Sequence, residues 1–446
     1  MHGFRWRYAA IVFLLALAYR GTYLLEASRQ TDFNVFYMDQ EYHLGWARAL
    51  ASGDWSAPYD RLRHAPYFRA PLYPYFLAAM LKLSGDSTLF VRIVQIIIGS
   101  MSCALAYGVG ARCFGQRVGV ITGVLCAFYW VLAYFDGELL LPVLLVFLVL
   151  LGFVLAFVAA ERGSIPLAGL AGLVFGLYAV TRPNILVFFP LLILWAVRIS
   201  RRAGKRWAPF VVLMAVGCLL PSTLVTVRNR VVGDDWVFVA SQGGVNFYIG
   251  NNPESNGMQA VVPGTRETWW GGFEDTQAIA QDAAGRPLKP SEMSRYWFRR
   301  AFAYIREQPA DWIRLTGRKA LAMVGNVELM NNEPYEARRS RYRTLRLVPL
   351  GFAPIFALFL VAVPQMLSVG RRRDTKPPAD DKMRRSFAAL ILQFVLVYAL
   401  SVIAFFVTGR YRVPLVPFVM MGAALTVDTL VLWVRQRRLE IGRAHV

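Results

Sequence analysis

The stretch Phe36–Phe76, FYMDQEYHLGWARALASGDWSAPYDRLRHAPYFRAPLYPYF, decides how the rest of the chain is read. It lies between a first hydrophobic span and the next membrane-length apolar run, which makes it a loop at one face of a membrane. Asp39, Tyr42, His43, Trp46 and Leu50 recur at helical spacing. The loop therefore holds an amphipathic helix with an acid and an imidazole one turn apart on its aromatic face. A carboxylate on such a face is costly unless it pairs, binds a metal or does chemistry. Gly53-Asp54-Trp55 stops the helix. The two prolines of Arg69-Ala70-Pro71-Leu72-Tyr73-Pro74-Tyr75 then force a bent re-entry toward the bilayer. The loop reads as the roof of a site.

Composition agrees with a membrane setting. Of 446 residues, 56% are hydrophobic and 17% charged. Several runs approach or exceed the ~20 apolar residues that cross a bilayer, which excludes an ordinary soluble protein. A net charge of +21 would suggest nucleic acid in a soluble chain. Here no basic soluble domain is present, and the cations cluster in short loops, where they orient a membrane protein. Cys103, Cys113, Cys126 and Cys218 fall in or beside apolar spans, so no disulfide framework or paired-cysteine metal site is expected. The first span follows a short basic leader without a small-residue cleavage site and reads as a retained anchor.

About ten spans are expected, near residues 7–25, 90–111, 118–135, 139–160, 165–181, 185–199, 208–227, 347–368, 386–407 and 415–434. The fold class is an all-α polytopic membrane protein with amphipathic helices in its outer loops and a small α+β domain outside the bilayer. Residues 1–227 form an N-terminal membrane module with its first outer loop at 26–76. Residues 228–345 are the outer segment, 346–434 the C-terminal spans and 435–446 a basic tail. In the outer segment Val237–Ala240 and Asn246–Ile249 alternate like short strands, and Asn251–Gly257 is turn-rich. Ser291 begins a helix to about Gln308, and Pro309 another to about Met323. Short basic clusters then fall on the cytoplasmic side with both termini, and the spans are nearly charge-free inside. Arg182, Arg410 and Arg412 break the pattern as cations at outer ends of spans, on the same face as Asp39, Asp136 and Glu138.

Acids and arginines gathered on the outer face suit a reaction on a lipid-linked anion. Arginine offers a rigid, permanently charged fork for phosphate oxygens. A carboxylate within reach of an acceptor hydroxyl takes its proton as the new bond forms. A phosphate leaves as a stable anion, so one base plus cationic contacts suffices, whereas a glycosidase normally needs two carboxyl groups.

The first-loop order Asp39-Gln40-Glu41-Tyr42-His43, Gly53-Asp54-Trp55, Ala70–Tyr75, Gly137-Glu138-Leu139-Leu140, Thr181-Arg182-Pro183-Asn184 and Arg410-Tyr411-Arg412-Val413-Pro414 together resemble the GT-C membrane glycosyltransferases. The bacterial branch of the protein-mannosyltransferase and aminoarabinose-transferase superfamily is the nearest in pattern, over about 1–230 and 346–430. The resemblance implies a polyprenyl-phosphate sugar donor, inverting transfer to a lipid, glycan or protein acceptor, and an active site under the first outer loop of a bacterial cytoplasmic-membrane protein. It makes Asp39 the first-loop acid and Glu138 the second, and puts Arg182 and Arg412 at donor-phosphate contacts; Arg410 is a further donor-phosphate candidate, with Arg412 favoured over it by the match. Gln40 departs from the family's paired acids, which leaves Asp39 or Glu41 as the base; helical phase favours Asp39.

Blander readings stand beside these. Asp39 also fits a cap or an ion pair, and Asp136 a residue that merely solvates its turn. His43 joins Asp39 and Glu138 as ligands of a divalent metal, or simply packs among aromatics. Arg182 also fits snorkelling at a span end. Tyr42, Arg69, Tyr73 and Glu328 are support or acceptor-facing candidates, with Glu328 beside Asn331 and Asn332 equally suited to capping. Trp269-Trp270 fits buried core better than a sugar platform. The rival classes are a ligase or polymerase using a diphosphate-linked donor, and a lipid flippase or transporter, which needs ionisable groups inside the spans.

Overall fold

A computed structural model describes residues 5–54, 67–202, 207–330, 334–368 and 379–444. Trp55, Asn331, Asn332 and part of the basic linker after the eighth predicted span lie outside the described residues. In chain order the helices are α1 (Trp6–Ala27), α2 (Asp39–Ala51), α3 (Leu72–Ser84), α4 (Thr88–Phe114), α5 (Gln116–Phe128), α6 (Trp130–Gly137), α7 (Pro142–Arg162) and α8 (Ile165–Ala179). A 3-10 turn, Pro183–Phe188, leads into α9 (Phe189–Arg202) and α10 (Trp207–Gly233). The segment 228–345, expected from the sequence to lie outside, contributes α11 (Gly243–Gly250), α12 (Trp269–Ala284), α13 (Pro290–Glu307), α14 (Pro309–Val324), α15 (Tyr335–Arg341) and α16 (Arg343–Arg346). The chain ends with α17 (Phe352–Ser368), α18 (Ala379–Ile403), α19 (Gly409–Arg412) and α20 (Val416–Ala444).

Among the described residues, seven helices are long and apolar enough to cross a membrane, or eight if the bent pair α5–α6 counts as one span. The predicted fifth and eighth spans are present as the shorter apolar helices α8 and α17, of 15 and 17 described residues, so seven or eight of the ten expected spans meet the full length. Local chemistry sets the ends: Gly85 stops α3 at φ 65°, the Ser87 hydroxyl caps α4, Pro142 opens α7, and Gly163 closes it at φ 62°.

Two packing solutions hold the membrane part. Helices α8 and α10 meet through small residues. A Cβ at Gly172 would fall 2.1 Å from the Met214 carbonyl oxygen, so backbones touch where lipid supplies no hydrophobic drive. The second solution concerns the break between α5 and α6, bent by 54°. Breaking a helix in lipid leaves carbonyls unsatisfied. Arg20 of α1 answers them, donating to the Ala127 carbonyl at 2.9 Å, while its Nε meets Asp136 at 2.6 Å. Arg20 and Asp136 are both buried. Two expectations are corrected: the spans are not charge-free, and Asp136 does not solvate a turn.

No strand occurs among the described residues, so the α+β expectation for the outer segment is also corrected. Residues 246–249 lie in α11, because Gly244 lets that segment press onto α13. A Cβ at Gly244 would fall 1.9 Å from the Ser294 carbonyl, and the Gly244 amide donates to the Ser294 hydroxyl. The stretch expected as the other strand is irregular, with Val239 at φ 60°. Just beyond it, the amides of Ser241 and Gln242 donate to the carbonyls of Tyr67 and Phe68, tying the outer segment to the re-entering first loop. Helices α13 and α14 match their predicted ranges to within a residue or two, although α13 begins at Pro290 with Lys289 before it.

Candidate functional site

A cavity of about 770 Å³ opens where the first loop, the C-terminal ends of α8 and α18, α19, and the segment 228–345 converge. Its wall carries Asp39, Arg69, Arg182, Asn184, Trp269, Arg410 and Tyr411. Its lining also includes the apolar side chains Leu186, Val187, Val397 and Leu400 and the polar ones Gln242, Asn246, Thr265 and Thr268.

Asp39 is the first residue of α2 and is 2% exposed. Met38 before it has φ 52°, an outlier for a residue with a side chain, so the turn that delivers the carboxylate is held against backbone preference. One Asp39 oxygen meets Arg69 at 2.5 Å and the Trp269 indole N–H at 3.0 Å; the other is held by Arg410. Burial alone would raise the pKa of this carboxyl, but the Arg410 and Arg69 guanidiniums outweigh burial and hold it well below the usual carboxylate range. The guanidinium of Arg69 also lies over the rings of Tyr42 and Trp269, at 5.1 and 5.2 Å.

Arg182 is half-buried and stacks on the Tyr411 ring at 3.7 Å. It has no carboxylate partner among the described residues. Arg410 donates to the Tyr411 hydroxyl at 3.2 Å, so one tyrosine joins the two cations.

The other candidates lie elsewhere. The Glu138 carboxylate accepts from the Gln40 amide at 2.7 Å and does not line the cavity. Glu41 is exposed, on the far side of α2 from Asp39, as its helical phase requires. Tyr42 is packed between Trp46 and Trp269. Tyr73 donates to Gln95 at 2.8 Å. His43 is 1% exposed, with neither ring nitrogen hydrogen-bonded and its edge against Tyr42 and Tyr73; burial first, then Arg69, pushes its pKa down to about 3. Arg412 turns away from the cavity to meet Glu328 at 2.6 Å and the Gly325 carbonyl at 2.7 Å, and Glu328 also accepts from Tyr129. The shortness of α19 explains this, since residues two apart on a helix face different sides.

A divalent ion bridging Asp39, His43 and Glu138 does not fit this arrangement. Both Asp39 oxygens are taken by guanidiniums that would repel it, Glu138 is engaged by Gln40, and no cluster of three metal-ligating side chains occurs among the described residues. Three contributors were not read from the sequence: Gln40, which links the acids, Tyr411, between two arginines, and Trp269 as a donor to Asp39. Position beside a singled-out charge was the available signal for the first two.

Residues 68–225 match the family described as dolichyl-phosphate-mannose-protein mannosyltransferase. No curated protein matches the chain. Among solved structures, the oligosaccharyltransferase AglB of Archaeoglobus fulgidus, in complex with an inhibitory peptide and a dolichol-phosphate, aligns with a TM-score of 0.53 at 13% identity over 98% of this chain and 51% of that one. The apo form of the Archaeoglobus fulgidus enzyme gives 0.54 at 12% identity, covering 98% and 52%. ArnT from Cupriavidus metallidurans bound to undecaprenyl phosphate gives 0.39 at 16% identity, covering 94% and 77%. The chain thus spans about half the length of the oligosaccharyltransferase whose fold it shares. The match to the mannosyltransferase family lies in residues 68–225, and the chain as a whole shares the fold of the oligosaccharyltransferase.

Proposed function

We propose that this protein transfers a sugar from a polyprenyl-phosphate donor to a hydroxyl-bearing acceptor at the outer face of a bacterial cytoplasmic membrane. The observation that carries the reading is Asp39 held by Arg69 and Arg410 inside a cavity that also presents Arg182, a surplus of two positive charges waiting for an anion. The apolar lining residues suit an isoprenoid chain, and the polar ones suit sugar and acceptor.

In the free protein Asp39 serves as the counter-charge of two arginines and is a weak base. An entering donor phosphate competes for those guanidiniums. A carboxylate relieved of one cation regains basicity and accepts the acceptor's proton. The acceptor oxygen then bonds to the anomeric carbon from the side opposite the leaving group. The bond from that carbon to the phosphate oxygen breaks, and polyprenyl phosphate departs with the electron pair, its charge held by Arg182 and Arg410. Inversion follows from the single displacement. Glu138 acts through Gln40 to orient the start of α2. No step is assigned to a metal.

The same charge surplus also suits a diphosphate-linked donor, so the test includes both. Purified protein in lipid nanodiscs is given polyprenyl-phosphate and polyprenyl-diphosphate sugars with an envelope extract as acceptor, and lipid phosphate release is measured with and without chelator. Release from a monophosphate donor that vanishes in Asp39→Asn supports the reading. Release only from diphosphate donors replaces it with the ligase reading, and no release from either rejects transfer.

A further inference from the structure

Lys319 of α14 is completely buried, yet its ammonium meets no carboxylate among the described residues. Its Nζ donates to the Gly250 carbonyl at 3.1 Å, the Asn251 side-chain oxygen at 3.1 Å and the Phe405 carbonyl at 3.0 Å. An ammonium has three donors, and all three are used. The acceptors come from two chain ends that converge on one point. Gly250 is the last residue of α11, and Phe405 lies just beyond α18 and lines the cavity. The C-terminal carbonyls of two helices facing one spot repel each other, and a buried cation between them offsets that repulsion.

The surrounding bonds tighten the same junction. Asn251 donates to the Phe247 and Ala404 carbonyls, at 2.8 and 2.9 Å, while the Trp312 indole donates to its oxygen at 2.9 Å. A Cβ at Gly250 would fall 1.8 Å from the Phe405 oxygen, so the backbones lie in contact. The Val407 amide donates to the Gly257 carbonyl, which anchors the turn-rich Asn251–Gly257 segment to this stretch. Immediately downstream, the Gly409 amide donates to the Leu329 carbonyl, and then come Arg410 and Tyr411 in the cavity wall.

We propose that Lys319 is a positioning residue: it fixes residues 404–408 against α11 and thereby sets Arg410 and Tyr411 for the donor phosphate. The proposal rests on reading the cavity as a donor site. Lys319 itself does not line that cavity and acts through the chain it pins.

The test uses the full chain in nanodiscs, comparing wild type, Lys319→Met and Lys319→Arg by hydrogen exchange and by donor kinetics. In Lys319→Met, amide exchange over 404–412 rises about tenfold while α7 keeps its protection. The KM for the polyprenyl-phosphate sugar that wild type turns over rises about tenfold, with kcat within about twofold. Lys319→Arg, which keeps charge and donors, restores most of both. Unchanged exchange over 404–412, or a fall in kcat at constant KM, overturns the proposal. Should wild type turn over no donor, the transfer reading fails while the exchange data still decide the positioning role. If Lys319→Met does not fold, Asn251→Ala releases Ala404 from the opposite side and is judged by the same two measurements.

Discussion

Arg410 and Arg412 stand two residues apart on α19, both buried, each paired with a carboxylate from a distant part of the chain. Their surroundings differ in charge balance. Around Arg412 the charges balance: one cation meets one carboxylate, Glu328, and also donates to the carbonyls of Gly325 and Val327, with Phe352 below. Around Arg410 they do not, because Asp39 is shared with Arg69, and Arg182 adds a third cation stacked on Tyr411. A balanced buried pair is structure; an unbalanced one at a cavity wall is a place for a ligand. The same sequence motif supplies both.

The largest effect that would sharpen this contrast is Asp39→Asn, which lowers transfer about 10³-fold, within the range of a lost general base. Lipid phosphate release per folded molecule measures it, and melting reports separately the stability lost with the counter-charge of Arg69 and Arg410. Next is Arg412→Met. Leaving Glu328 buried without its cation costs about 3–5 kcal/mol of stability, while donor KM per folded molecule stays near wild type. Adding Glu328→Leu recovers most of that loss, since replacing a whole buried pair by apolar groups is close to neutral. If Arg412→Met raised donor KM in a stable protein, the division between the two arginines would collapse.

What the sequence disclosed follows the same line. The helix Asp39–Ala51 and the inward phase of Asp39 relative to Glu41 are period-3.6 information, and both were legible. So were α13 and α14, whose proline and capping signals are local. The partner each charge would choose was not, because pairing across 371 positions, as between Asp39 and Arg410, is a property of packing. Asp136 was misread for that reason: its partner Arg20 sits in a span that composition alone marks as apolar. The strand expectation at 246–249 failed because alternation over four residues does not outweigh a glycine that permits close helix contact.

Two smaller effects test the open side of the comparison. Arg182→Gln removes a cavity cation that has no carboxylate partner among the described residues, so it weakens donor binding by about 2 kcal/mol, close to 30-fold in KM, without loss of stability. An unchanged KM would move the phosphate to Arg69 and Arg410 alone.

The smallest effect concerns His43, which lies one turn from Asp39 and faces Tyr42 and Tyr73 rather than the cavity. Burial, reinforced by Arg69, lowers its pKa to about 3, against about 6.5 in an unfolded chain. Below pH 6.5 the unfolded chain binds a proton that the folded protein refuses, so stability falls with acidification by about 1.4 kcal/mol per pH unit. Asp39, whose pKa is also depressed, contributes stability that is lost only below its unfolded value near 3.9, so the two windows separate. Melting wild type and His43→Phe in nanodiscs between pH 7.5 and 5 isolates the imidazole: the difference in their pH slopes is one proton. Equal slopes would mean that the imidazole finds a proton partner in the fold, and the metal-ligand reading of Asp39 and His43 would regain its footing.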